Sequence, residues 1–211
     1  MNNYISLNEW INTKKINESL LYDTDINLLK KILLKKFYDN SFDIELMIES
    51  YKNEEYVDLD YEEILNSEDF KKWLEYESEF LLEEARDKLN DIILSNGDII
   101  IWRVLMVSDD WIKKLKSGNL KRIGEYWSWD KNYAEAHWGY NIKDKTNEVL
   151  IESVIQEKYV NWIDTLVLNA DPSYSDEKEI RLFKNTPLKI KKLWVNNKKI
   201  DLTNINNIFK T

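Results

Sequence analysis

Asp98-Ile99-Ile100-Ile101-Trp102-Arg103-Val104-Leu105-Met106-Val107 is the run whose reading decides the fold. It follows Gly97, is almost continuously apolar and β-branched, and is too short and too rich in isoleucine and valine for a long helix. The run therefore predicts a buried strand. One charge interrupts it, Arg103, and a buried guanidinium is costly unless an anion meets it. That anion is either a carboxylate of the protein or the phosphate of a ligand, whose oxygens match the planar guanidinium fork.

Upstream of this run the chain has another character. All four glycines (Gly97, Gly118, Gly124, Gly139) and both prolines (Pro172, Pro187) lie beyond residue 95. A chain without helix breakers predicts helices first, then strands and turns. Thr24 or Asp25 caps a helix over Ile26 to Phe37, with Ile26, Leu29, Ile32, Leu33 and Phe37 at helical spacing and lysines toward its C-terminal end. A second helical segment covers Phe42 to Tyr51. A third starts from the Ser67 cap and carries Phe70, Trp73, Leu74, Leu81, Ala85, Leu89 and Ile92 as one stripe that ends before Asn96-Gly97. Residues 1–95 hold 11 basic and 23 acidic side chains, a net −12, against +3 for the remainder. The expected organisation is an acidic helical region over 1–95 and a β-rich region over 96–211.

Downstream, Asp109 to Leu115 reads as a short helix, Ile123 to Asp130 as a strand, and Asp130 to Ala136 as the helix after it. Ser128 is the one small hydroxyl between Trp127 and Trp129, just before a helix start, where anions and nucleotides are often held; it either serves such a ligand or fills a gap between packed rings. His137, the only histidine, reads as structural, since no nucleophile accompanies it. Strands follow over Val149–Ile155, Thr165–Leu168, Glu179–Phe183 and Leu188–Val195, with Asn196-Asn197 as a turn into Lys199–Leu202. The stretch Ser175-Asp176-Glu177-Lys178-Glu179-Ile180-Arg181-Leu182 places Glu177 and Glu179 two residues apart, hence on one face of an extended strand. Such a pair is either a solvated strand edge that discourages aggregation or two carboxylates that divide the work of a reaction.

Composition narrows the function. In 211 residues, 43% hydrophobic and 13% aromatic content supplies a core and argues against disorder. Without cysteine and with one histidine, no thiolate or histidine-rich metal centre is expected. A net charge of −9 argues against sequence-independent nucleic-acid binding. No signal-like start and no membrane-length apolar run occurs, which predicts a cytoplasmic protein with no membrane partner.

Three of these features fall in a recognisable order: Arg103 within a first apolar strand, Ser128 on a strand before a helix, and Glu177-Lys178-Glu179 opening a late strand. The arrangement resembles the Arg-Ser-Glu class of mono-ADP-ribosyltransferases, found among bacterial toxins, over roughly residues 96 to 205. Where that family often has Ser-Thr-Ser, this chain has Tyr126-Trp127-Ser128, with one hydroxyl. The resemblance implies an α+β fold in which the N-terminal helices pack on a two-sheet ADP-ribosyltransferase-like core. It implies NAD as substrate, no metal, and transfer of ADP-ribose to a protein acceptor, an arginine, with release of nicotinamide. By the same resemblance Glu179 stabilises the cation that develops at the ribose, Glu177 orients or deprotonates the acceptor, Arg103 pairs with the cofactor phosphates and Ser128 braces the Glu179 side. Trp127, Trp129 or Tyr133 stacks on nicotinamide. The alternative reading is a non-enzymatic interaction or inhibitor protein whose acidic helices bind a basic partner.

Overall fold

The computed structural model describes residues 19–39, 42–117, 119–120, 122–137, 147–174, 178–203 and 208–211. Among the described residues four helices come first: α1 (Ile26–Tyr38), α2 (Ile44–Glu55), α3 (Tyr61–Asn66) and α4 (Glu68–Asn90). Each starts on a side chain that satisfies a free backbone N–H. Asp25, Asp43, Asp60 and Ser67 are the caps, and Asp60 with Glu63 completes a reciprocal capping box. In α1 the residues Leu29, Leu33 and Phe37 recur every four positions and are fully buried. On α4, Phe70, Leu74, Leu82 and Leu89, spaced by four, eight and seven residues along one helical face, are likewise fully buried. Complete burial of each such side chain contributes about 1.5–3 kcal/mol. Part of the acidic surface is taken up internally: Glu79 pairs with Lys30 at 2.9 Å and Glu83 with Arg86 at 3.1 Å.

Strand β1 (Asp98–Val107) leads into α5 (Asp109–Lys116), β2 (Tyr126–Ser128), α6 (Lys131–His137) and β3 (Asn147–Gln156). A 3₁₀ turn (Glu157–Tyr159), α7 (Trp162–Asn169), β4 (Glu179–Arg181), β5 (Pro187–Val195), β6 (Lys198–Lys199) and β7 (Ile208–Lys210) follow. This is a mixed α+β fold with N-terminal helices on a β-rich core. Thr165–Leu168, expected as a strand, lies in α7. Its Asn161 cap accepts the Asp164 N–H, and burial on several sides erases the two-residue alternation a strand would show.

Two sheets are expected; the strands of the described residues join in one. Among the described residues seven strands join in the order β4-β2-β1-β3-β5-β6, with β7 on β5, every pairing between these strands antiparallel. The joint is uneven: β1 and β3 match over ten residue pairs, whereas β2 meets β1 at the single pair Trp102↔Ser128. Asn196 and Asn197, at φ 48 and 62, make the tight turn between β5 and β6, a left-handed pair that asparagine tolerates.

Register assigns the two faces. Ile99, Ile101, Ile151, Ser153, Trp127 and Ile180, between 0 and 2% exposed, look toward α1–α4 and α7. The opposite face carries Ile100, Trp102, Val104, Ser128, Leu150, Glu152 and Glu179. There α6 covers a smaller cluster of Val104, Ala134 and Leu150. One buried cluster runs from Leu21 through the helices to Phe209.

Candidate active site

β4 is short because Lys178, at φ 49, breaks the extended backbone immediately before Glu179. Several anchors then fix where Glu179 emerges. The Asn169 amide donates to the carbonyls of Thr165 and Glu179, both at 2.8 Å, tying the end of α7 to the start of β4. Trp129 N–H donates to the Lys178 carbonyl at 3.2 Å, and the Lys178 ammonium reaches Asp130 at 2.6 Å. That contact, with the Tyr133 N–H behind it, holds the Asp130 carboxyl below the ordinary aspartate range.

The Glu179 carboxylate meets a cation from its own strand. Arg181 Nε donates to Oε1 at 2.8 Å. The Arg181 guanidinium lies 4.7 Å from the Tyr126 ring, and its backbone N–H donates to Thr165 Oγ1. Behind Arg181 is a cavity of about 270 Å³ lined by Lys36, Phe42, Asp164, Val167, Leu168 and Tyr174.

Ser128 stands directly opposite Glu179 in the β2–β4 register, and opposite Trp102 across β1. Directly opposed residues share a face, so Glu179, Ser128 and Trp102 form a row across three strands. The Ser128 hydroxyl is engaged with Asp130, accepting its N–H and donating to its carbonyl, both at 3.0 Å. Ser128 thus shapes the turn that presents Asp130.

Arg103 lies one residue beyond Trp102 on β1 and so points to the other face. Its Nη1 donates to the Tyr126 carbonyl at 2.6 Å, and its guanidinium carbon sits 5.9 Å from the Trp127 ring. Burial lowers its pKa first, while the charge of Glu179 acts in the opposite sense. Among the described residues no carboxylate forms an ion pair with it; a backbone carbonyl and an indole face receive the guanidinium instead. Gly124, at φ +111, makes room for it, since a Cβ there would lie 2.6 Å from Nη1.

Of the three aromatic candidates, Trp127 is 2% exposed and faces the core, where its indole N–H donates to the Gly124 carbonyl at 2.9 Å. Alternation along β2 spends that ring on packing. Trp129 is partly buried against the core, and the half-buried Tyr133 gives its backbone N–H to Asp130 Oδ1 at 3.0 Å. Glu177 and the side chain of His137 lie outside the described residues. The residues beside Glu179 that sequence reasoning left unassigned are Arg181, Asn169 and Trp102. Arg181 had a legible signal, since it shares the two-residue spacing that singled out Glu177 and Glu179. Among the described residues no three Asp, Glu or His side chains converge as metal ligands, and no helix is long and apolar enough to cross a membrane. Comparison with protein-family models, curated proteins and solved structures gives no match for this chain.

Proposed function

We propose that the protein is a mono-ADP-ribosyltransferase that cleaves NAD and transfers ADP-ribose to a protein acceptor, an arginine, with Glu179 as its central residue. The observation that supports this most is the adjacency of three strands. Those bearing Arg103, Ser128 and Glu179 are far apart in sequence yet are consecutive neighbours in the sheet, and Ser128 and Glu179 are directly opposed in it.

In this reading the bond between ribose C1′ and the nicotinamide nitrogen breaks, and the bonding pair leaves with nicotinamide. The ribose acquires cationic character as it does so. A carboxylate fixed beside the ribose stabilises that charge more than it stabilises the substrate. The acceptor nitrogen then bonds to C1′ and loses a proton, for which Glu177 is the base. Glu179 is suited to its part because Asn169 fixes its backbone and Arg181 orients its carboxylate. Arg103 contributes by tying β1 to β2 through the Tyr126 carbonyl, across a joint that otherwise rests on one residue pair. Ser128 contributes by shaping the turn at Asp130.

The test is nicotinamide release by the purified protein. Glu179→Gln keeps the shape and removes the charge, so both transfer and NAD hydrolysis are expected to vanish. Glu177→Gln is expected to lose transfer and retain hydrolysis. Equal and undiminished activity in both variants sinks the reading.

A further inference from the structure

Beyond Ser128, the row across the outer face continues through Trp102 to Glu152 and Lys192. Trp102 and Trp194, on either side of β3, bring their ring centroids to 6.1 Å at an interplanar angle of 31°. The ammonium of Lys131 on α6 lies over both, at 5.9 and 6.0 Å, and also makes a half-exposed pair with Glu135 at 3.3 Å. Ile100, the next residue of β1 on this face, is 40% exposed, and Lys189 stands across β3 from it, opposite Val154. Among the described residues Lys189 has no ion-pair partner.

Val104, Ala134 and Leu150, each 7% exposed or less, seat α6 on the sheet, and Trp102 and Trp194 pack against that cluster at its rim. The two indoles remain only partly covered above it. Partly exposed indoles with a cation over them, a flanking apolar residue and a further lysine form the chemistry that takes a purine base with its phosphate. The position also fits. Trp102 is two strands from Glu179, about 10 Å at the usual strand spacing, on the same face.

We infer that Trp102, Trp194 and Lys131 form a binding site for a purine nucleotide, with Lys189 toward its phosphate. Resting on the proposed function, this is the site for the adenylate end of NAD, whose nicotinamide end lies at Glu179. The nucleotide site itself is tested without any turnover.

The probe is adenosine monophosphate, titrated by calorimetry into the full chain. Wild type is expected to bind it. Lys131→Met, a half-exposed change that keeps the fold, and Trp102→Leu are each expected to weaken binding about tenfold, while Glu179→Gln leaves it unchanged. No binding by wild type, or undiminished binding in both Lys131→Met and Trp102→Leu, overturns the inference. Nicotinamide release measured alongside separates the two ideas. Nucleotide binding that depends on Lys131, without release, keeps this site and removes the transferase reading. Release that depends on Glu179, with nucleotide binding indifferent to Lys131 and Trp102, does the reverse.

Discussion

Glu179 and Arg181 are two residues apart on one short strand, and their contact gives the site its most specific feature. The 2.8 Å bond fixes one carboxylate oxygen. The guanidinium is itself held against the Tyr126 ring. A carboxylate with one oxygen fixed can present the other in a single direction, which matters for a charge that develops at one atom. Arg181→Met is therefore expected to lower kcat for nicotinamide release about tenfold with little change in KM, the pattern of an interaction that matters in the transition state. Arg181→Lys should recover part of the loss. A raised KM with unchanged kcat would show instead that Arg181 binds substrate. At Gly124 the constraint is steric. Alanine there would adopt a left-handed φ and meet the Arg103 guanidinium, so Gly124→Ala is expected to cost about 1–3 kcal/mol in urea unfolding. A variant as stable as wild type would mean that Arg103 is free to move.

Elements show why parts of the fold were legible in the sequence and parts were not. The caps Asp25, one of two candidates with Thr24, and Ser67 and the turn Asn196-Asn197 carry local chemistry, a side-chain acceptor or a tolerated left-handed backbone, and each lies at a position the sequence offered. The helix α3 carries its own signal in Asp60 and Glu63, but at six residues it has no apolar periodicity to draw attention. The α7 segment misleads because buried helices and buried strands are both continuously apolar. Ser128 was legible as a position and not as a contact, since its hydroxyl partner, Asp130, depends on the turn that follows. Arg103 was legible as a charge within an apolar strand, and in the fold it is partly buried. Its partner is a carbonyl on another strand, which no local pattern encodes. The turn at Asp130 also gives a pH prediction. Lys178 and the Tyr133 N–H hold the Asp130 carboxyl below its ordinary range in the fold, so the unfolded chain takes up that proton first. The stability this contributes is present above the ordinary aspartate value and is lost as pH falls through the folded value. Between about pH 5 and 2, wild type should lose thermal stability that Asp130→Asn never had, and the two curves should converge in acid. Curves that stay parallel would remove the Lys178 contact from the stability of this loop.

For the whole molecule, the acidic helical part and the β-rich part differ in charge yet share one core. Residues of α1, α2 and α4 lie in the same buried cluster as Ile99, Ile151, Ile180 and Phe209. Helix content and tryptophan fluorescence should therefore be lost in one coincident transition in urea. Two separated midpoints would show that the helices unfold alone. The shared core also bears on function, because α7, which carries Asn169 and Thr165, sits between the helices and β4. The position of Glu179 is thus set by the body of the protein.

Nicotinamide release from NAD, wild type beside Glu179→Gln, tests the central claim most directly. Release by wild type, increased by a guanidino acceptor, is expected, with none from Glu179→Gln whose fold is intact by circular dichroism. Release that persists in Glu179→Gln, or no release by wild type with any acceptor, would contradict it.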